Sequence, residues 1–127
     1  MFRPSFEKSD GLIRVIAQDV HAPHAVLMDA YMNEEAFNET LRTGRVVYFS
    51  RSKGKLWRKG EESGHVQLVR EIRINCNCDS LLILVEQVGG AACHDGYRTC
   101  FYRCLIENGE LEVIEERVFD PAEVYKK

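Results

Sequence analysis

Leu81, Leu82, Ile83, Leu84 and Val85 follow one another without a charge, and the run from 81 to 88 lies between an Asp79-Ser80 turn and a Gly89-Gly90 break. Eight residues suit a strand covered on both faces better than a helix. A strand of that kind needs a neighbour on each side, and the rest of the chain offers them as short apolar runs separated by turn residues. Residues 12–19 read as one strand, and the polar His21-Ala22-Pro23-His24 stretch turns the chain into a second at 25–28. Val46 to Ser50 is β-branched and aromatic, and the Lys53-Gly54 pair returns it through 56–58. Residues 66–76 alternate, with Val66, Leu68, Ile72 and Ile74 expected on one face. Asn108-Gly109 folds 101–107 back on 111–115.

One segment breaks the pattern. Asn33 is a good N-cap, Glu34 and Glu35 stand where the helix dipole favours acids, Ala36, Phe37, Thr40 and Leu41 fall at helical spacing, and Gly44 can end the helix. A short helical turn is expected near Pro121. The expected class is α+β, mainly β, with hairpin-rich sheets, one main helix and a single domain over 1–127. A chain of this length buries roughly two thirds of its unfolded surface and can fold without extra cross-links.

Composition narrows the function. With 17 Lys and Arg against 20 Asp and Glu, the net charge of −3 lacks the positive footprint of a general nucleic-acid binder. No apolar run approaches the roughly 20 residues of a membrane span, and the N-terminus has no signal-peptide pattern, so a cytoplasmic protein is expected. The five cysteines are an odd number and cannot all pair within one chain. In a reducing compartment, clustered thiols point to metal binding or chemistry.

Cys93 and Cys100 bracket a loop that contains His94, and Cys76 and Cys78 stand at the end of a strand, where alternation points both to one side. Three sulfurs and an open position make a zinc site that can activate water. Each cysteine can equally be a small buried hydrophobe, the reading that suits Cys104 best. His94 is the acid–base candidate, whereas His21 and His24 read as turn residues without a partner. Alternation also sets Asn75, Asn77 and Asp79 on one face, an oxygen cluster with a single carboxylate, equally readable as a polar strand end. Arg51, Ser52, Lys53, Lys55, Arg58, Lys59, Ser63 and His65 surround Trp57 in the most basic stretch, either a phosphate site or a solvated hairpin face.

Taken together, Gly11-Leu12-Ile13, Ala17-Gln18-Asp19, residues 30–36, Thr43-Gly44, the unbroken stretch 48–67, Val85-Glu86-Gln87, Ala92-Cys93-His94 and Cys100-Phe101-Tyr102-Arg103 resemble the phosphoribosyl-AMP cyclohydrolases, the histidine-biosynthesis enzymes that open an adenine ring. The resemblance implies an intertwined homodimer with zinc held by Cys93 and Cys100 of one subunit and Cys76 of the other. It makes His94 the proton carrier and gives the phosphoribosyl ends to Arg51, Ser52, Lys59, Ser63 and His65. It also implies a magnesium motif of three aspartates around the first cysteine. The matching positions are Asn75, Asn77 and Asp79, so two carboxylates are missing, and Cys78 departs from the motif as well. The implied partner is a small phosphoribosyl nucleotide, and the implied reaction is hydrolysis of the N1–C6 bond of phosphoribosyl-AMP. Two alternatives stand beside it: a paralogue that keeps the zinc as a zinc-binding or zinc-responsive protein without turnover, and an unrelated metal-dependent nucleotide hydrolase.

Overall fold

Strand β6 (Ser80–Gln87) is central, between β1 (Ile13–Asp19), which runs parallel to it, and β5 (Gln67–Ile74), which runs antiparallel. The computed structural model, which describes residues 2–125, adds β2 (Val26–Met32) to the far side of β1, giving a four-stranded sheet in the order β2-β1-β6-β5. Ile13, Val15 and Ala17 of β1 and Leu81, Ile83 and Val85 of β6 share one buried face, joined by Leu27 and Met32 of β2. The other face of β6 is less covered: Leu84 is buried, while Leu82 and Glu86 are only partly so. The expectation of a strand buried on both faces therefore holds for one face fully and for the other in part.

Helix α1 (Glu34–Thr43) lays Ala36, Phe37 and Thr40 on that core. Asn33 Oδ1 accepts the Ala36 N–H at 2.8 Å, and Gly44, at φ 74°, closes the other end by donating to Thr40 O. Thr40 is fully buried; its hydroxyl donates to Ala36 O at 2.9 Å and accepts from Val47 N at 2.9 Å, fastening the helix to the next strand. That strand, β3 (Val47–Ser50), forms a hairpin with β4 (Lys55–Arg58). A 3-10 turn at Phe6–Ser9, not foreseen in the sequence, places Phe6 edge-on to Phe37 with ring centroids 6.0 Å apart.

Two expectations about strand faces fail. The register of β5 against β6 slips between Val69 and Glu71, and a bulge of this kind reverses the alternation that follows. Val69 and Ile72, three apart, consequently both pack on the core; Gln67, two before Val69, shares that face and is fully buried, whereas Ile74, at the end of the strand, is exposed. Gln67 is accommodated by hydrogen bonds: Tyr48 OH donates to its Oε1 at 2.6 Å, and its Nε2 donates to Gln87 Oε1 at 2.9 Å.

The last hairpin, β7 (Arg103–Leu105) with β8 (Leu111–Val113), turns at Gly109 as expected. Its side chains do not join the core. Leu105 is 70 % exposed, Leu111, Val113 and Ile114 are also exposed, and Cys104, expected inside, lies on the surface because its strand has no covering layer. The chain ends with α2 (Pro121–Val124), capped by Asp120. Among the described residues no helix is long and apolar enough to cross a membrane.

Candidate active site

The 91–100 loop is built by backbone pairing. Ala92 N donates to Arg98 O and Cys93 N to Tyr97 O, which folds the loop into a tight return, and Cys100 N donates to Leu27 O at 2.7 Å, docking it on β2. The return brings Cys93 and Cys100 close enough for each thiol to feel the other's charge. Cys93 is buried and accepts the Asp95 N–H on its sulfur at 3.4 Å. Burial pushes the Cys100 thiol up to about 12, the neighbouring Cys93 adds to the shift, and Lys59 opposes it.

Lys59 follows β4 and turns inward. It is only 9 % exposed, its ammonium donates to Ala92 O, and it lies 5.1 Å from the centre of the Trp57 ring. Burial lowers its pKa, and the nearby Cys100 and Cys93 partly counter that effect.

Lys59 also borders an open cleft of about 790 Å³, lined besides by Ser52, Lys53, Lys55, Trp57, Ser63 and His94. His94 is 80 % exposed, with Nε2 3.4 Å from Asp95 Oδ1. Asp95 is itself held: Tyr102 OH donates to its Oδ2 at 2.8 Å, and Arg117 Nε donates to its carbonyl at 3.0 Å. The Tyr102 hydroxyl is shifted up, chiefly by that hydrogen bond to Asp95, and its ring stacks on Tyr97 at 3.8 Å. Sequence reasoning overlooked Asp95 and Tyr102. The signal was an acid directly after His94, but nothing in the sequence tied it to a tyrosine seven positions on.

Several candidate residues lie elsewhere. Arg51 stands over the Tyr31 ring at 4.6 Å, in a separate cleft of about 540 Å³ that also contains Asp79 and Arg14. His65 packs edge-on against Phe119 at 4.9 Å, with its Nδ1 buried and unpartnered among the described residues. His21, expected to be alone, pairs with Glu86 at 2.7 Å.

Strand β5 ends at Ile74, so positions 75–79 form a turn and not an alternating strand. Cys76 and Cys78 are therefore not placed on one side by a strand pleat; Cys78 takes a left-handed backbone, φ 60°. Asn75 Oδ1 accepts from both Asp79 N and Ser80 N at 2.9 Å, and its Nδ2 donates to Asp79 Oδ1 at 2.7 Å. The amide is thus used up in closing the turn, and one carboxylate remains. A hard dication such as Mg²⁺ needs several charged or unengaged oxygens, and these side chains do not fit it.

Zinc is a different case. Two adjacent sulfurs suit a soft-ligand site, yet among the described residues no group of three His, Cys, Asp or Glu is arranged to hold a metal. The third candidate, Cys76, is exposed in the β5–β6 turn, while Cys100 is docked on β2. Two interstrand steps separate β2 from β6, about 10 Å at about 4.8 Å each. The offset along the strands adds to this: Leu27, which docks Cys100, is next to Met28, level with Ala17 and Ile83, whereas Cys76 lies beyond Ser80, about 10 Å further along at about 3.3 Å per residue. Together the two offsets exceed the span of at most about 4.6 Å between sulfurs on one zinc ion plus the reach of two cysteine side chains. The pair fits zinc, with Cys76 of the same chain out of reach.

Comparisons with known proteins bear on this arrangement. Residues 28–102 match the family model described as phosphoribosyl-AMP cyclohydrolase. The chain is 55 % identical to the phosphoribosyl-AMP cyclohydrolase of Nitratidesulfovibrio vulgaris over 98 % of both chains. It is 57 % identical to the protein of that name from Methanocella arvoryzae over 99 % of both, and 54 % identical to that of Desulforapulum autotrophicum over 99 % of this chain and all of the relative. Most of the matched segment is the core sheet, the cleft hairpin and the cysteine loop just described, and from these matches the chain belongs to the phosphoribosyl-AMP cyclohydrolase family.

Proposed function

We propose that this protein is a zinc-dependent phosphoribosyl-AMP cyclohydrolase of histidine biosynthesis, working as a homodimer in which Cys76 of one subunit joins Cys93 and Cys100 of the other. One observation carries this reading: two neighbouring cysteines on the loop whose His94 lines a wide polar cleft, with the third expected ligand exposed across the sheet. A second copy is the natural occupant of the apolar hairpin β7–β8, since a lone two-stranded hairpin with exposed Leu105, Leu111 and Val113 is marginal in water.

Zinc, when bound, supplies Lewis acidity and lowers the pKa of water toward neutrality, which is what attack at C6 of the adenine ring and rupture of the N1–C6 bond require. The chain's own residues do the rest. His94, exposed at the cleft rim and oriented by Asp95, gives a proton to the departing ring nitrogen. Ser52 and Ser63, with the exposed Lys53 and Lys55, hold phosphate oxygens. Trp57, 41 % exposed in the same cleft, presents a flat apolar surface to the base. Arg51 and His65 lie outside this cleft, and any contact they make with substrate requires the second subunit or a moved C-terminal segment.

The test is a direct assay of ring opening on phosphoribosyl-AMP, combined with metal analysis and solution mass. The reading predicts turnover, about one zinc per chain and a dimer. A second reading is favoured by the closed Asn75–Asp79 turn: a family member that keeps zinc without the reaction. Stoichiometric zinc with no turnover, with or without Mg²⁺, would establish it.

A further inference from the structure

Lys59 is the only buried charged side chain among the described residues, and lysine is seldom buried without a counter-charge. No carboxylate pairs with it among the described residues. Its ammonium instead meets the Trp57 ring and the carbonyl of Ala92, the residue immediately before Cys93. The acidic groups that face it are the sulfurs of Cys100 and Cys93. Meanwhile Lys53 and Lys55 of the same hairpin are exposed on the cleft, which is where a phosphate would be met. Lys59 also lines that cleft, but its side chain is nearly buried and its ammonium is committed to the Ala92 carbonyl of the cysteine loop, a placement that serves the loop more directly than it serves a phosphate.

We infer that Lys59 is a positioning residue for the zinc ligands, pinning the Ala92–Cys93 backbone to the end of β4 and setting a fixed positive charge against the two sulfurs. The inference rests on the zinc reading above. Three thiolates around one dication leave a negative charge uncompensated, and in a buried site such a charge is costly without a partner. Lys59 supplies that partner from the same loop contact that fixes the ligand geometry, the kind of outer support on which metal affinity depends.

The experiment uses full-length Lys59→Gln and Lys59→Arg. Glutamine keeps a donor for the Ala92 carbonyl, and so a route to the folded protein, while removing the charge; arginine restores the charge. Three quantities are measured: zinc affinity by competition with a chromophoric chelator, the thiolate-to-metal absorption after exchange with Co²⁺, and the separate effects on kcat and KM. The expected result is a loss of zinc affinity of roughly 10- to 100-fold in Lys59→Gln, with a weakened thiolate-to-cobalt band and most of the affinity recovered in Lys59→Arg. Wild-type affinity and a wild-type cobalt spectrum in Lys59→Gln, with the defect confined to KM, would make Lys59 a substrate contact and overturn the inference. If the unmodified protein bound no zinc, the inference would fall together with the zinc reading, so the two failures are distinguishable.

Discussion

The separation of Cys76 from Cys93 and Cys100 makes a quantitative prediction about mixed dimers. In the proposed dimer each site draws Cys76 from one chain and the other two ligands from its partner. Dimers of Cys76→Ala alone or of Cys93→Ala alone therefore have two broken sites each. A hybrid of the two variants has one site carrying both defects and one carrying neither. Co-expression or co-refolding in equal amounts assorts the chains so that about half of the dimers are hybrids, each with one whole site in two, and about one quarter of wild-type activity returns from two inactive parents. The control runs the other way. A chain bearing both substitutions, mixed equally with wild type, spoils both sites of every hybrid, leaving about one quarter of the activity, whereas sites built within single chains would leave about one half. The assay is ring opening on phosphoribosyl-AMP with zinc content measured on the same samples. No recovery in the first mixture together with one half in the second would refute the shared site, and with it the distance argument drawn from the width of the sheet.

The remaining predictions concern single residues. His94→Ala is expected to keep its zinc and its melting temperature while turnover falls by a factor of about 100 to 10,000; full turnover would remove the histidine from the reaction. Asn75→Ala, which deletes the three hydrogen bonds that close the 75–79 turn, should cost about 1–2 kcal/mol, less than three full bonds because the freed groups meet water. Millimolar Mg²⁺ should leave the melting temperature of the unmodified protein unchanged, and a Mg²⁺-dependent rise would show that the turn does open to a cation. The Glu39 carboxyl is held below its usual range, first by the hydrogen bond from Arg58, Nε to Oε2 at 2.6 Å. Its contribution is complete above the unfolded value of about 4.3 and disappears as the pH falls through the lower folded value. The difference in melting temperature between wild type and Glu39→Gln should therefore be greatest near neutrality and close in acid; a gap independent of pH would contradict the pairing.

What the sequence disclosed about the fold was mostly local. Asn33, Gly44 and Asn108-Gly109 act through their own backbone conformations and nearest neighbours, so their positions in the helix and hairpin could be read directly. The β5 face could not be read in the same way. The slip between Val69 and Glu71 is set by pairing with β6, and the burial of Gln67 depends on Tyr48 and Gln87, which are 19 and 20 positions away. Cys104 was misjudged for a related reason: alternation predicts which side a residue takes, whereas exposure depends on whether another layer covers that side.

The site divides along the same line. Cys93, His94 and Cys100 lie within one short loop whose own backbone bonds bring the sulfurs together, so spacing alone was enough to single them out. Lys59 and Cys76 are both candidates in the sequence, but what each of them reaches is legible only in three dimensions. Lys59 sits in the most basic stretch of the chain, where charge points to phosphate, but its ammonium turns to Ala92, and no feature of the sequence says which lysine of a run faces inward. Cys76 is seventeen residues from Cys93, and the family resemblance assigns it to the other subunit; within one chain the sheet order places β1 and β6 between it and the strand that docks Cys100. If Cys76 is the ligand proposed, it can serve only where a second surface meets it, and the uncovered hairpin at residues 103–113 is the part of this molecule that most requires such a meeting.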